Sequence, residues 1–172
     1  MKIHRTLGTL VLAFAALAVG CDDDNDPVTP QTPTSFTAAL DDANERPNAI
    51  NTTTNASGSA TFTVTPAGIA YTVRVANTTS AVTVCHIHVG ASDAAGPVTV
   101  TLCASGSGTA ITTETQIASG TITHGLNSST VGSSPISLAA LIDLFVSGDA
   151  YVNVHTSTNG GGEVRGQVVA VP

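Results

Sequence analysis

Three of the five histidines in this 172-residue chain fall in two short stretches, Cys85-His86-Ile87-His88-Val89-Gly90 and Tyr151-Val152-Asn153-Val154-His155-Thr156. A third stretch, Gly161-Gly162-Glu163-Val164-Arg165-Gly166-Gln167, adds a carboxylate, a guanidinium and an amide at alternate positions. Polar and apolar residues alternate in all three, which is the pattern of a β-strand. Residues two apart on a strand share a face. His86 and His88 therefore point together, as do Asn153 and His155, and Glu163, Arg165 and Gln167 form a third row. Two imidazoles so placed converge on one ion, and His155 from a neighbouring strand completes a three-histidine set. Neutral imidazole suits zinc and copper, with Asn153 or Glu163 as outer partners that fix the ligand tautomers. His124 is a further candidate ligand. The same residues also have a purely structural reading, as cross-strand pairs contributing about 0.2–1 kcal/mol each and fixing strand register. On the sequence, both readings stand.

A sheet is needed to bring these rows together, and the composition supplies one. Ser and Thr are abundant, Gly and Pro punctuate often, and apolar runs are short. That profile predicts an all-β fold, an antiparallel Greek-key-like β-sandwich of about eight strands. The expected strands are Ser35 to Leu40, Gly58 to Thr65, Ile69 to Ala76, Val82 to Val89, Val98 to Cys103, Ile117 to Thr123, Ala150 to His155 and Gly162 to Val169. Pro66-Ala67-Gly68 reads as a tight turn. One short helix interrupts the pattern before the last hairpin: Ser137 is a good N-cap, Leu138, Leu141, Ile142 and Phe145 recur at helical spacing, and Gly148 supplies a stop. His155 and Glu163 flank a seven-residue polar connection, so their strands should pair, with Asn153 and His155 facing Glu163, Arg165 and Gln167.

The ends of the chain speak of export. Lys2 and Arg5 precede an apolar run from Leu7 to Val19, too short to span a membrane of about 20 apolar residues comfortably. Residues 1–20 read as a secretory signal whose ending, Leu17-Ala18-Val19-Gly20-Cys21, resembles a bacterial lipobox, with Ala18 where Leu is favoured. Cys21 is then the lipidation site and a membrane anchor; an ordinary cleaved signal is the alternative. Residues 21–34, with Asp22-Asp23-Asp24-Asn25-Asp26 and Pro27, Pro30 and Pro33, form an acidic, Pro-rich tether that cannot bury apolar surface. Removing the signal leaves three basic residues against twelve acidic ones, a formal charge of −9, which excludes nucleic acid as a partner because phosphate binding needs a basic footprint. Cys85 and Cys103 are an even pair in an exported chain and end strands that can lie side by side, so a disulfide is expected. Two buried free thiols are the alternative.

Phe36, Leu40, Asn44-Glu45-Arg46-Pro47, His86-Ile87-His88-Val89-Gly90, Gly96-Pro97-Val98, Gly148, Tyr151 to Thr156 and Gly162 to Gln167 together resemble the CHRD domain, the module repeated in chordin and found singly in many bacterial exported proteins. The resemblance runs from about Ser35 to Val169, which places a single domain over residues 35–170. It marks Asn44, Glu45, Asn153, Glu163, Arg165 and Gln167 as family-signature polar residues, and it implies an extracytoplasmic β-sandwich with no settled activity. Two departures stand out: Cys85, where the family has a small or apolar residue, and the long Ser/Thr/Gly-rich stretch from Ala104 to Ser134. The His-X-His strand, the late Val-His strand and the Gly-rich turn are also similar to those of Cu,Zn superoxide dismutase. The exported chain has four histidines, too few for that enzyme's dinuclear site. No nucleophile elbow, phosphate loop or His-Glu-X-X-His is present, and no catalytic residue is assigned. The sequence thus predicts a non-enzymatic binding module of the cell envelope, on the surface or the periplasmic face, taking an extracellular or periplasmic protein or glycan as partner. The alternative is a copper- or zinc-binding protein with a His86/His88/His155 site, redox-active and dismutase-like.

Overall fold

Alternation along the chain becomes strand after strand in the computed structural model, which describes residues 31–47, 55–104, 106, 108–123 and 136–172. The signal sequence, Cys21, most of the tether and His124 lie outside the described residues. The elements are β1 (Ser35–Asp41), a 3-10 turn (Asp42–Asn44), β2 (Ser57–Thr65), β3 (Gly68–Ala76), β4 (Val82–Val89), β5 (Val98–Cys103), β6 (Thr115–Ile122), α1 (Leu138–Ser147), β7 (Ala150–Thr156), β8 (Val164–Gln167) and β9 (Val169–Ala170). All of them fall within one unit, Thr32–Pro172. The expected strands are present, with β6 beginning two residues early and the last strand divided at Val168.

All pairings are antiparallel, in the order β5-β4-β7-β8-β1-β2-β3-β6, with β9 also on β1. The expected sandwich is one continuous sheet curled over on itself and nearly closed. Its far halves meet where the Tyr71 hydroxyl on β3 donates to the Leu102 carbonyl on β5 at 2.8 Å. Inward positions of the strands, among them Phe36, Leu40, Phe62, Val73, Val152 and Val164, build the core. The helix closes it. Ser137 accepts from the Ala140 amide at 3.1 Å and Gly148 ends the helix in the left-handed conformation, as capping preferences predict. Leu141 and Phe145 are buried, and the Phe145 ring packs at 5.3 Å from Phe36 and 5.0 Å from Phe62. Each such side chain contributes about 1.5–3 kcal/mol through burial.

β7 positions the site. An antiparallel strand commonly has one wet face, yet all seven residues of β7 are buried. Val152 and Val154 face the core, while Tyr151, Asn153 and His155 lie on a polar face that is also covered. Pairing sets two rows across it: His86, Asn153 and Arg165 on β4, β7 and β8, and beside them His88, Tyr151 and Gln167.

Candidate metal centre

The register that lays down these rows also gathers the three histidines that the sequence singled out. His86, His88 and His155 each offer one ring nitrogen within 4.8 Å of the other two. The imidazoles are 8–9% exposed. Two of their tautomers follow from their partners. A carbonyl can only accept, so the contact of His88 Nδ1 with the Gly96 oxygen at 2.9 Å requires the proton on Nδ1. The contact of His155 Nδ1 with the Gly160 oxygen at 3.1 Å requires the same there. Both Nε2 atoms therefore carry a free lone pair. That of His88 is buried with no hydrogen-bond partner. That of His155 lies 3.3 Å from His86 Nδ1. Without a metal, the latter contact is a hydrogen bond donated by His86. The same separation matches the edge of a tetrahedron of ligands at M–N of about 2.0–2.1 Å, so these two nitrogens already stand at ligand spacing, with a nitrogen of His88 within 4.8 Å.

Burial keeps the three imidazoles in the neutral form that could ligate a metal. Burial pushes the His86 pKa down to about 4, reinforced by His155 and His88. Burial lowers His88 as well, against the pull of the Gly96 carbonyl, and lowers His155 against that of Gly160. All three imidazoles are neutral near pH 7, the ligating form. Among the described residues no carboxylate or thiol joins this group.

With the fold and this geometry in view, the comparison with known proteins is specific. The model of the CHRD domain matches residues 36–168. The chain belongs to the CHRD-domain family. A CHRD domain is an extracellular-type binding module, and the Cys85–Cys103 disulfide, with Cα atoms 5.0 Å apart, fits export. No curated protein and no solved structure matches the chain. Among the described residues, no helix is long and apolar enough to cross a membrane.

The polar residues that the resemblance singled out form the scaffold around the histidines, and most of their bonds hold loops. Arg165, 2% exposed, lies with its guanidinium carbon 3.4 Å from the Tyr151 ring centroid and donates from Nη2 to the Ala91 and Ala94 carbonyls, both at 2.8 Å. Gln167 donates to the carbonyls of Gly90 and Gly148. Tyr151 accepts from the Gly96 amide at 3.0 Å. These side chains bind down the loop at residues 90–97, which carries the carbonyl that orients His88. Asn44 ties the 3-10 turn to β8 through the Arg165 carbonyl at 3.1 Å. Asn153 donates to Glu45 at 3.4 Å, leaving Glu45 Oε1 and Asn153 Oδ1 buried without partners. Burial raises the Glu45 pKa to about 7, opposed first by Arg165.

Glu163 corrects the expected row. It neither faces the histidines nor pairs with Arg165. Its carboxylate accepts from the Thr79 amide and hydroxyl, the Thr156 hydroxyl and the Asn159 amide group. The reason is local: Gly162 has φ +130, and regular alternation begins only at Val164. Glu163 thereby fixes the loop at residues 157–162, which carries the Gly160 carbonyl. Tautomer control thus comes from two backbone carbonyls rather than from Asn153 or Glu163. Nothing in the sequence marks those carbonyls. Tyr151 lay within a motif, but alternation alone gave it no role.

Proposed function

We propose that this CHRD domain is a non-enzymatic, extracytoplasmic binding module, held to a bacterial membrane by lipid at Cys21, whose histidine face binds one copper or zinc ion through His86, His88 and His155. The observation that carries the reading is His88 Nε2: a buried lone pair without a partner, on a ring whose other nitrogen is committed to Gly96. A buried polar atom in a native protein normally has a partner, and an unpartnered nitrogen on a neutral imidazole grouped with two others suits a cation. Backbone carbonyls behind two of the ligands supply the outer support that metal-bound histidines commonly have. A purely structural role explains the bonds of Arg165, Gln167 and Glu163, which hold loops; of the unpartnered buried atoms among the described residues, Gln167 Oε1 included, His88 Nε2 is the one that belongs to the histidine group.

Elemental analysis of the protein purified from its native envelope tests this reading. The expected outcome is one copper or zinc per chain, lost in His88→Ala and in His155→Ala. Bound at a hundred times its Kd, such an ion adds about 2.7 kcal/mol of stability, seen as a rise in Tm. A native protein free of metal that takes up none on titration would overturn it.

A further inference from the structure

Resting on that metal-binding reading, we infer that the centre is built for monovalent copper, Cu(I), in preference to Zn(II) or Cu(II). Among the described residues the donor set is neutral, three imidazoles with no carboxylate or thiolate. The sulfurs of Cys85 and Cys103 are joined to each other, and Glu163 is occupied by Thr79, Thr156 and Asn159. The desolvation cost of a buried ion grows with the square of its charge, so a dication costs about four times as much as a monocation where no anionic ligand offsets it.

A fixed positive charge adds to the discrimination. Arg165 is buried against the Tyr151 ring at 3.4 Å, and that ring stacks on His88 with centroids 4.8 Å apart. Nη2 of Arg165 is held by two neutral carbonyls, those of Ala91 and Ala94. Glu45 and Asp93 are the carboxylates that act on it electrostatically, and neither belongs to the ligand group. Repulsion from this guanidinium doubles when the ion carries two charges instead of one. Coordination number points the same way. A closed structural zinc site takes four protein ligands, so Zn(II) on three imidazoles would need a water or other fourth donor, whereas three nitrogen donors complete a trigonal Cu(I) shell. Among divalent ions the ordinary affinity order puts Cu(II) first, so a preference for Cu(I) over Cu(II) is a distinctive signature.

Competition titrations of the metal-free full chain decide the matter: Cu(I) against bicinchoninate under anaerobic conditions, and Zn(II) and Cu(II) against chelators of known affinity. The expected result is one Cu(I) per chain, bound on the order of a hundredfold or more tightly than either divalent ion. Arg165→Met should then raise Zn(II) affinity relative to Cu(I) by roughly tenfold, and Arg165→Lys should not. Zn(II) or Cu(II) bound as tightly as Cu(I) overturns this inference while leaving the metal site in place. Failure of the wild-type chain to bind any of the three ions overturns the site itself. Should Arg165→Met not fold, the wild-type competition decides alone.

Discussion

His88 and Tyr151 stack with ring centroids 4.8 Å apart and planes 12° from parallel, and both side chains reach the same residue, Gly96. The pair couples His88 to the loop that orients it. Because Arg165 lies over the same ring and bonds Ala91 and Ala94, the 90–97 loop, the aromatic ring and the imidazole form one rigid assembly. In the proposed metal site, His88 would thus present a ring already held by this loop, which lowers the ordering cost of binding.

Among the polar residues that the sequence singled out, Glu163 is the clearest case of one that acts on structure. Its buried carboxylate satisfies four donors on three residues. Glu163→Ala should cost about 3 kcal/mol or more, since charge-assisted bonds are lost and buried donors are stranded. Metal stoichiometry should stay at one per chain, because Glu163 supplies no donor atom, while affinity should weaken as the loop carrying the Gly160 carbonyl loosens. Urea denaturation paired with metal analysis checks this, and full stability with loss of metal would contradict it.

Gly162 sits where no side chain fits. A Cβ there would come within 2.5–2.6 Å of the Asn153 amide and Glu45 Oε2, at a φ of +130. Gly162→Ala should destabilise by about 2–4 kcal/mol through backbone strain and forced movement of that buried pair. Adding Asn153→Ala should recover part of the loss, and a double-mutant cycle in denaturant measures how much.

Stability of the metal-free protein should depend on pH in two opposing ways. Between the ordinary histidine value of 6.5 and about 4, the unfolded chain binds a proton that buried His86 refuses. Its contribution is therefore present above 6.5 and lost as pH falls through 4, with His88 and His155 acting in the same direction. Glu45 behaves inversely. Raised from 4.5 to about 7, its contribution is full below 4.5 and lost as pH rises through 7. From 6.5 to about pH 8 the histidine effect is complete, so the remaining fall in stability belongs to Glu45. Glu45→Gln should flatten that fall; a denaturation midpoint that declines as steeply in the variant assigns it elsewhere.

The Cys85–Cys103 disulfide closes a separation of 18 residues, containing the 90–97 loop, immediately before His86. Replacing both cysteines with Ala should cost about 3 kcal/mol in the chain-entropy model. Calorimetry of the double variant against the disulfide-bonded wild type measures the loss, and the reduced wild type should show a similar one. A change below 1 kcal/mol would place the constraint elsewhere in the fold.

Period-two alternation made the strands legible before any coordinates, because a side chain on a strand can face only one of two ways. The helix was legible from Ser137, the Leu138-Leu141-Phe145 spacing and Gly148, since capping and burial are local demands. The pairing of Cys85 with Cys103 and the candidate ligand set His86, His88 and His155 followed from residue type and parity. Where local parity failed, so did the reading: Glu163 turns away from its expected row because a positive-φ glycine precedes it. Long-range register decided the rest. It put His86 beside Asn153 and Arg165, and His88 beside Tyr151 and Gln167. It buried both faces of β7 and brought the carbonyls of Gly96 and Gly160 to the backs of two imidazoles. The sequence by itself determined which side chains could bind an ion. Only the tertiary structure decided their tautomers, their charge and the partnerless nitrogen, because each depends on backbone atoms and burial contributed by distant segments.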